Sequence, residues 1–179
     1  MGETFNSEKF GELIVYIARR LPPEAALGRV KLAKLLMQSD FGAYARTRQP
    51  ITGATYEKWE QGHLPRELLL AQRDLEADGS IVTDTVKYYG KQLKHVTARR
   101  DPDMSAFSEE ELAIIEGALR TFGHESATYL SELSHRELGW RLAEWKEEIP
   151  YNTVYLGTGK VTDADIRRGE ELASLHHWN

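Results

Sequence analysis

The side chains that most often carry out chemistry are present, but their spacing matches none of the common catalytic or metal-binding motifs. No pair of histidines has the H-E-x-x-H spacing of a helical zinc site. The chain has no cysteine, which removes thiol nucleophiles and cysteine metal sites together. A metal site built from distant residues, such as Asp40 with His63, is the alternative that the pattern leaves open. The six histidines are His63, His95, His124, His135, His176 and His177.

Nucleophile and phosphate motifs are equally absent from the sequence. No serine stands in a G-x-S-x-G elbow. Residues 157–160 (GTGK) lack the first glycine that a phosphate-binding loop needs, so they predict a turn before a last helix. We therefore expect a protein that is not an enzyme and has no cofactor or metal. The competing hypothesis is a hydrolase whose site is assembled from separated residues.

Charge is unevenly distributed along the chain. The net charge of −5 argues against a dedicated nucleic-acid binder, whose binding face is usually basic. Residues 108–148 are rich in glutamate, whereas residues 81–100 are basic. Each run is either a solvated face or a surface for a charged partner. The basic run contains Lys87, Lys91, Lys94, Arg99 and Arg100, against Asp84 alone.

Helical periodicity predicts the elements of the first half. Ser7 is a candidate cap for a first helix, which the Pro22-Pro23 pair ends. A second helix over residues 29–44 is apolar on several faces, which predicts a central position in the core. Residues 46–65 interrupt the period and predict a long ordered loop or a short strand.

The second half begins with a third helix, which Pro65 should open, with Leu64 on its buried face and Gly79 as its stop. Two β-rich runs, 81–89 and 92–97, then predict a hairpin. Residues 99–103 form a possible internal linker. Further helices are expected from Ser108, where Glu111 completes a capping box, from Ser126, and from Thr162 and Asp165 toward Leu175.

These elements predict a mainly α fold (α+β): one compact helical domain over residues 1–179 with one small β-hairpin. No apolar run is long enough to span a bilayer, and charges interrupt residues 1–25 where a signal peptide would be apolar. We expect a cytoplasmic protein with no membrane partner.

Trp59 is the most informative aromatic residue. Its neighbours Glu57, Lys58 and Glu60 are all charged, and an indole in such a setting is a candidate binding hot spot as well as a candidate core residue. Trp140 is expected to fill the core.

Three separated segments together resemble one family. Residues 31–40 (KLAKLLMQSD) are similar to an opening helix in which a lysine-leucine pattern leads to an acidic residue. Residues 48–53 (RQPITG), followed by Tyr56, Gly62 and Pro65, are similar to a proline-isoleucine-threonine-glycine turn that precedes a glycine-proline loop.

The third segment comprises residues 132–137 (ELSHRE), Trp140 and residues 149–151 (IPY). The order of all three resembles the Panacea-domain (SocA-like) antitoxin family over about residues 31–151. Gln61 and His63 depart from the family pattern, which usually has an aromatic residue and a proline there, and Met37 stands where an aromatic residue is common.

The resemblance implies an antitoxin that neutralises a cognate protein toxin by direct contact. It also implies a possible role as an adaptor that delivers the toxin to an ATP-dependent protease, and a possible origin on a prophage or mobile element. The alternative function is a winged-helix-like nucleic-acid-binding regulator, with Lys87, Lys91, Lys94, Arg99 and Arg100 on phosphates. The predicted toxin contacts are Tyr56, Trp59, Gln61, Gly62, His63 and Leu64.

Overall fold

The computed structural model describes residues 4–88, 90–156 and 167. The predicted turn at 157–160, the predicted last helix, His176 and His177 lie outside the described residues. Short 3₁₀ turns occur at Pro23–Ala25, Met104–Ala106 and Tyr151–Tyr155. The other elements are α1 (Ser7–Arg20), α2 (Arg29–Thr47), β1 (Tyr56–Trp59), β2 (Gly62–Pro65), α3 (Leu68–Ala77), β3 (Ile81–Tyr88), β4 (Lys91–Ala98), α4 (Glu109–Phe122), α5 (Ala127–Ser134) and α6 (Leu138–Leu142).

Helix α2 is the centre of the molecule, as its apolar pattern predicts. It contacts α1, α4, α5, β2 and the 3₁₀ turn that follows residue 150. Its buried side chains lie on more than one face because neighbours cover it on several sides. The helix ends at Thr47, three residues beyond the predicted end, where Arg48 adopts a left-handed conformation (φ 63°).

Helix α1 is capped one residue earlier than predicted. The Asn6 side chain accepts the backbone N–H of Lys9 (2.9 Å), and Ser7 is the first helical residue. Asparagine and serine are equally good caps, so residue type alone does not predict which of the two adjacent residues takes the position. The buried face of α1, from Phe10 to Ala18, packs on α2, α3 and β4.

Two antiparallel hairpins are present among the described residues, and both are two-stranded. The β3–β4 hairpin is the predicted one, with Ile81 opposite Ala98. The β1–β2 hairpin occupies part of the segment predicted as a loop or short strand. Pro65 ends β2 and does not open α3, and Leu64 lies on β2 as well, so both assignments to the third helix are wrong. The mainly helical fold with a small β component is confirmed.

The predicted linker at residues 99–103 is anchored to the body of the fold. Both guanidinium Nη atoms of Arg100 donate to the carboxylate of Glu12 on α1, at 2.5 and 2.8 Å. The backbone N–H of Asp103 donates to the same carboxylate (2.7 Å), and the Arg100 hydrogen bond lowers the pKa of Glu12. The 3₁₀ turn Met104–Ala106 follows the linker and leads to α4, whose predicted capping box between Ser108 and Glu111 is present.

Asp40 joins α2 to the irregular segment that follows it. Its carboxylate is fully buried and accepts the backbone N–H of Thr52 (2.7 Å), the Thr52 hydroxyl (2.6 Å) and the Tyr56 hydroxyl (2.8 Å). Burial raises the pKa of Asp40 to about 6, and these donors oppose the rise. One carboxylate thus fixes the turn at residues 50–53 and the start of β1.

We expect Asp40→Ala to lower the free energy of unfolding by about 3 kcal/mol, because several buried donors lose their acceptor at once. Tyr56→Phe removes one donor and leaves the carboxylate paired with Thr52, so its cost should be about 1 to 2 kcal/mol. Urea denaturation of both variants near neutral pH measures the difference. Equal losses in the two variants would contradict the central role of the carboxylate.

Candidate partner-binding site

The β1–β2 turn requires a glycine at position 62. Gly62 pairs with Trp59 at the end of the hairpin and has a φ of 97°, which disfavours any side chain. A Cβ atom there would also collide with the Ser134 hydroxyl and would lie 2.7 Å from Lys34 Nζ. The turn therefore lies directly against α2 and α5.

A cleft of about 410 Å³, which we call the Gly62 cleft, opens beside this turn. Residues of α2 form one wall, and the β1–β2 turn with one tryptophan of the later chain forms the other. Its lining includes Arg29, Ala33, Lys34, Trp59, Gln61, Gly62, His63, Leu64 and Trp145.

Lys34 is the cation at the base of the cleft. Its side chain is buried, and Nζ donates a hydrogen bond to the backbone carbonyl of His63 (2.7 Å). Burial lowers the pKa of Lys34 to about 7, while the nearby carboxylate of Glu137 opposes that shift. Lys34 thus ties α2 to β2 with an ammonium group that loses its proton far more easily than an exposed lysine.

His63 and Glu137 complete a polar cluster with Lys34, in which Glu137 alone is partly exposed. His63 is fully buried, its ring nitrogens have no hydrogen-bond partner among the described residues, and Nε2 lies 3.6 Å from Glu137 Oε2. Burial, reinforced by Lys34, lowers the pKa of His63 to about 3. Burial also raises the pKa of Glu137 to about 7, although that side chain is about a third exposed and solvent moderates the effect.

Two tryptophans give the cleft an aromatic edge. Trp59 and Trp145 meet edge to face with ring centroids 5.4 Å apart. Trp59 is half-buried and donates its indole N–H to Glu57 (3.2 Å), whereas Trp145 is 56% exposed. The ammonium of Lys146 lies 5.0 Å from the Trp59 ring centroid. An exposed indole supported by a second indole is typical of a protein-binding hot spot.

Backbone pairing holds the tryptophan pair in place. The N–H of Lys58 donates to the Glu147 carbonyl (3.0 Å), and the N–H of Lys146 donates to the Lys58 carbonyl (3.0 Å). The N–H of Ile149 donates to the Tyr56 carbonyl (2.7 Å). The segment that carries Trp145 thus runs beside β1.

Trp140 and His135 both contact backbone carbonyls of the β1–β2 turn. Their rings stack with centroids 4.2 Å apart, the Trp140 indole N–H donates to the Trp59 carbonyl (3.1 Å), and His135 Nε2 contacts the Glu60 carbonyl (3.0 Å). Trp140 was expected to fill the core. It is half-buried and packs against the edge of the core. The β1–β2 turn is therefore held by side chains of α6 and of the residue that follows α5.

The structure divides the six predicted toxin contacts into two groups. Trp59, Gln61 and Leu64 are wholly or partly exposed at the cleft, so their contact with a partner stays a prediction. Tyr56 is 1% exposed and His63 is fully buried, so neither side chain reaches the surface in this structure, and their contact with a partner stays a prediction. Gly62 is also buried and shapes the turn.

Sequence reasoning missed three residues of this site. Lys34 lies within the lysine-leucine pattern and Glu137 within the serine-histidine segment, so both belong to segments that the family resemblance singled out. Nothing in the sequence indicated that the two side chains lie near each other. Trp145 belongs to a cluster of aromatic residues late in the sequence, but its pairing with Trp59 could not be predicted because the two are distant in sequence.

The basic hairpin is less available to phosphates than its sequence indicates. Arg100 is paired with Glu12, and Arg99 Nη2 lies 3.9 Å from Asp84 Oδ2, so both guanidinium groups already have an acidic neighbour, and their contact with phosphates stays a prediction. Lys87 and Lys91 are exposed, and Lys94 is exposed while donating to Thr85 (3.1 Å). Nucleic-acid binding by these lysines stays a prediction.

The described residues contain neither a metal-ion cluster nor a helix suited to crossing a membrane. No group of three or more His, Asp or Glu side chains in that part of the chain could hold a metal ion. No helix in the same part combines the length and apolar character needed to cross a bilayer.

The described residues form a mainly helical domain with a small β component and a cleft that has an aromatic edge. A family model described as "Antitoxin SocA-like, Panacea domain" matches residues 32–141, which is well over half of the chain. The chain belongs to this SocA-like Panacea-domain antitoxin family, as the sequence resemblance predicts. Neither the curated proteins nor the solved structures include a significant match.

We expect His63→Leu to remove part of the acid sensitivity of the fold. Because the folded pKa lies below the unfolded value of 6.5, the unfolded chain takes up the proton first, and stability falls as the pH falls below 6.5. At about pH 5 this loss is about 2 kcal/mol in the wild type and absent in the variant. Urea denaturation of both proteins at pH 5 and pH 7.5 isolates the difference. Parallel losses would show that His63 is protonated in the folded state.

Proposed function

We propose that this protein is the antitoxin of a toxin–antitoxin pair and neutralises a cognate protein toxin by binding it at the Gly62 cleft. The observation that carries the proposal is the exposed indole of Trp145, packed against Trp59 at the edge of the cleft. Family membership supports the biological role, and the cleft supplies a surface for it.

The cleft suits insertion of a side chain from a protein partner. An aromatic edge and the half-buried Val30 and Leu64 offer apolar contact, while the turn offers polar groups at its rim. Since β1, β2 and the segment after residue 143 are already paired, binding requires little new ordering of the backbone. A stable complex would bury on the order of 1,600 Å², of which the cleft is the centre.

The proposal is a binding function without catalysis. Lys34 and Glu137 have pKa values shifted toward neutrality, which is a feature of active sites as well as of buried ion pairs. Lys34 is engaged with a backbone carbonyl that holds the hairpin, so a structural account of its burial is sufficient. A purified protein that lacks phosphatase and esterase activity and carries no metal would agree with this part of the proposal.

The test begins with a pull-down of the tagged protein from its own host, followed by mass spectrometry. We expect one stoichiometric protein partner whose expression alone stops growth, and whose toxicity is relieved by co-expression of this chain. Recovery of nucleic acid in place of a protein would favour the basic hairpin and contradict the proposal. Measuring the half-life of the toxin with and without the antitoxin then tests the protease-adaptor role.

Trp145→Ala should abolish neutralisation and weaken the complex by at least tenfold, because a central aromatic anchor is lost. Trp59→Ala should act in the same direction, with a small loss of stability because that indole is half-buried. Leu142→Ala is the matched control, since Leu142 is more exposed than Trp145 and lies outside the cleft. Circular dichroism must show folded variants, and full rescue of growth by Trp145→Ala would refute the assignment of the surface.

A further inference from the structure

A second groove, distinct from the Gly62 cleft, lies between the start of α1 and α3. We call it the α1–α3 groove; its volume is about 390 Å³. Phe5, Leu70, Ala71 and Leu75 form its apolar lining, and Leu70 is 56% exposed. A Cβ atom at Gly11 would meet only the Leu75 side chain, at 3.9 Å, so this part of the floor is open. Apolar surface of this kind is typical of an interaction site.

Carboxylates of α3 and its flanks border this groove. Glu67, Asp74 and Asp78 lie seven and four residues apart, a spacing that keeps them on one face of the helix. Asp74 makes no ion pair with any residue that the structure describes. A hydrogen bond from Ser80 lowers the pKa of Asp78, which keeps that group ionised.

Among the described residues that line the groove, Arg66 is the one cation, and it is already paired with a carboxylate. Arg66 Nε lies 2.6 Å from Glu57 Oε1 on β1, so the Arg66 guanidinium forms an ion pair with the β1–β2 hairpin. The groove therefore combines an apolar floor with a net negative border. Acidic peptides and nucleic-acid phosphates would meet like charge there, and so would a second copy that presented the same stripe of α3.

We propose that the α1–α3 groove docks a basic amphipathic helical segment of a partner protein. Apolar anchors spaced i, i+3 or i+4 and i+7 would fill the floor beside Leu70 and Leu75, as in other helix-in-groove complexes. Lysine or arginine residues flanking those anchors would face Asp74 and Asp78. The inference does not depend on the toxin-binding role of the Gly62 cleft, because the two sites share no lining residue.

The test uses the full chain and three labelled peptides of about 18 residues, long enough to form a helix. The first has leucine anchors on one face and lysines elsewhere. The second has the same composition in an order that destroys the apolar face, and the third has glutamate in place of lysine. Fluorescence anisotropy should show saturable binding of the first peptide, at least tenfold tighter than of either control, and weaker binding as salt is raised.

Leu69 and Leu70 provide a matched pair of variants on the same helix. Leu69 is 61% exposed but lies outside the α1–α3 groove. Leu70→Ser and Asp74→Lys should each weaken the first peptide at least tenfold, while Leu69→Ser leaves its affinity unchanged. Trp145→Ala should also leave it unchanged, which separates this site from the toxin-binding surface.

Three results would overturn the inference. The first is absence of saturable binding, or equal binding of the reordered peptide. The second is an equal loss of affinity in Leu69→Ser and Leu70→Ser. The third is a dimer of the unliganded chain, measured by light scattering, that Leu70→Ser dissociates, because the groove would then be occupied by a second copy.

Discussion

The structure depends on the burial of three charged side chains along one helix. Lys31, Lys34 and Asp40 all lie on α2, and each is almost completely buried. Lys31 Nζ donates to the Ala25 carbonyl (2.7 Å) in the segment before the helix. Lys34 fixes the β1–β2 turn, and Asp40 fixes the turn at residues 50–53. A central helix thus holds three irregular segments by hydrogen bonds that its leucines could not supply.

This arrangement explains why the lysine-leucine pattern and the proline-isoleucine-threonine-glycine turn occur together. The carboxylate of Asp40 needs donors, and Thr52 supplies two of them because the turn directs its backbone N–H and its hydroxyl to one point. The ammonium of Lys34 needs an acceptor, and only a turn with glycine at position 62 brings the His63 carbonyl close enough. Burial makes each unpaired group costly, so the segments are mutually dependent.

Local patterns were sufficient to predict the elements that local forces determine. The Ser108 capping box, the β3–β4 hairpin and the central position of α2 follow from neighbours in sequence and from helical period. The β1–β2 hairpin did not follow, because its strands are short and its pairing is completed by residues after position 143. Burial of Tyr56 and His63 could not be predicted either, since it depends on Asp40 and Lys34 reaching them from α2.

The Gly62 cleft and the α1–α3 groove would bind a partner through different physical interactions. At the Gly62 cleft, binding would come mainly from the burial of Trp145 and its neighbours, an effect that moderate salt changes little. At the α1–α3 groove, Asp74 and Asp78 are exposed, so attraction of a basic segment would be screened over about 10 Å at 0.1 M salt. The salt dependence of a complex therefore distinguishes the surface used. A partner that engages both surfaces would lose only part of its affinity at high salt. In the Trp145→Ala variant, the remaining affinity would come from the α1–α3 groove and would be sensitive to salt.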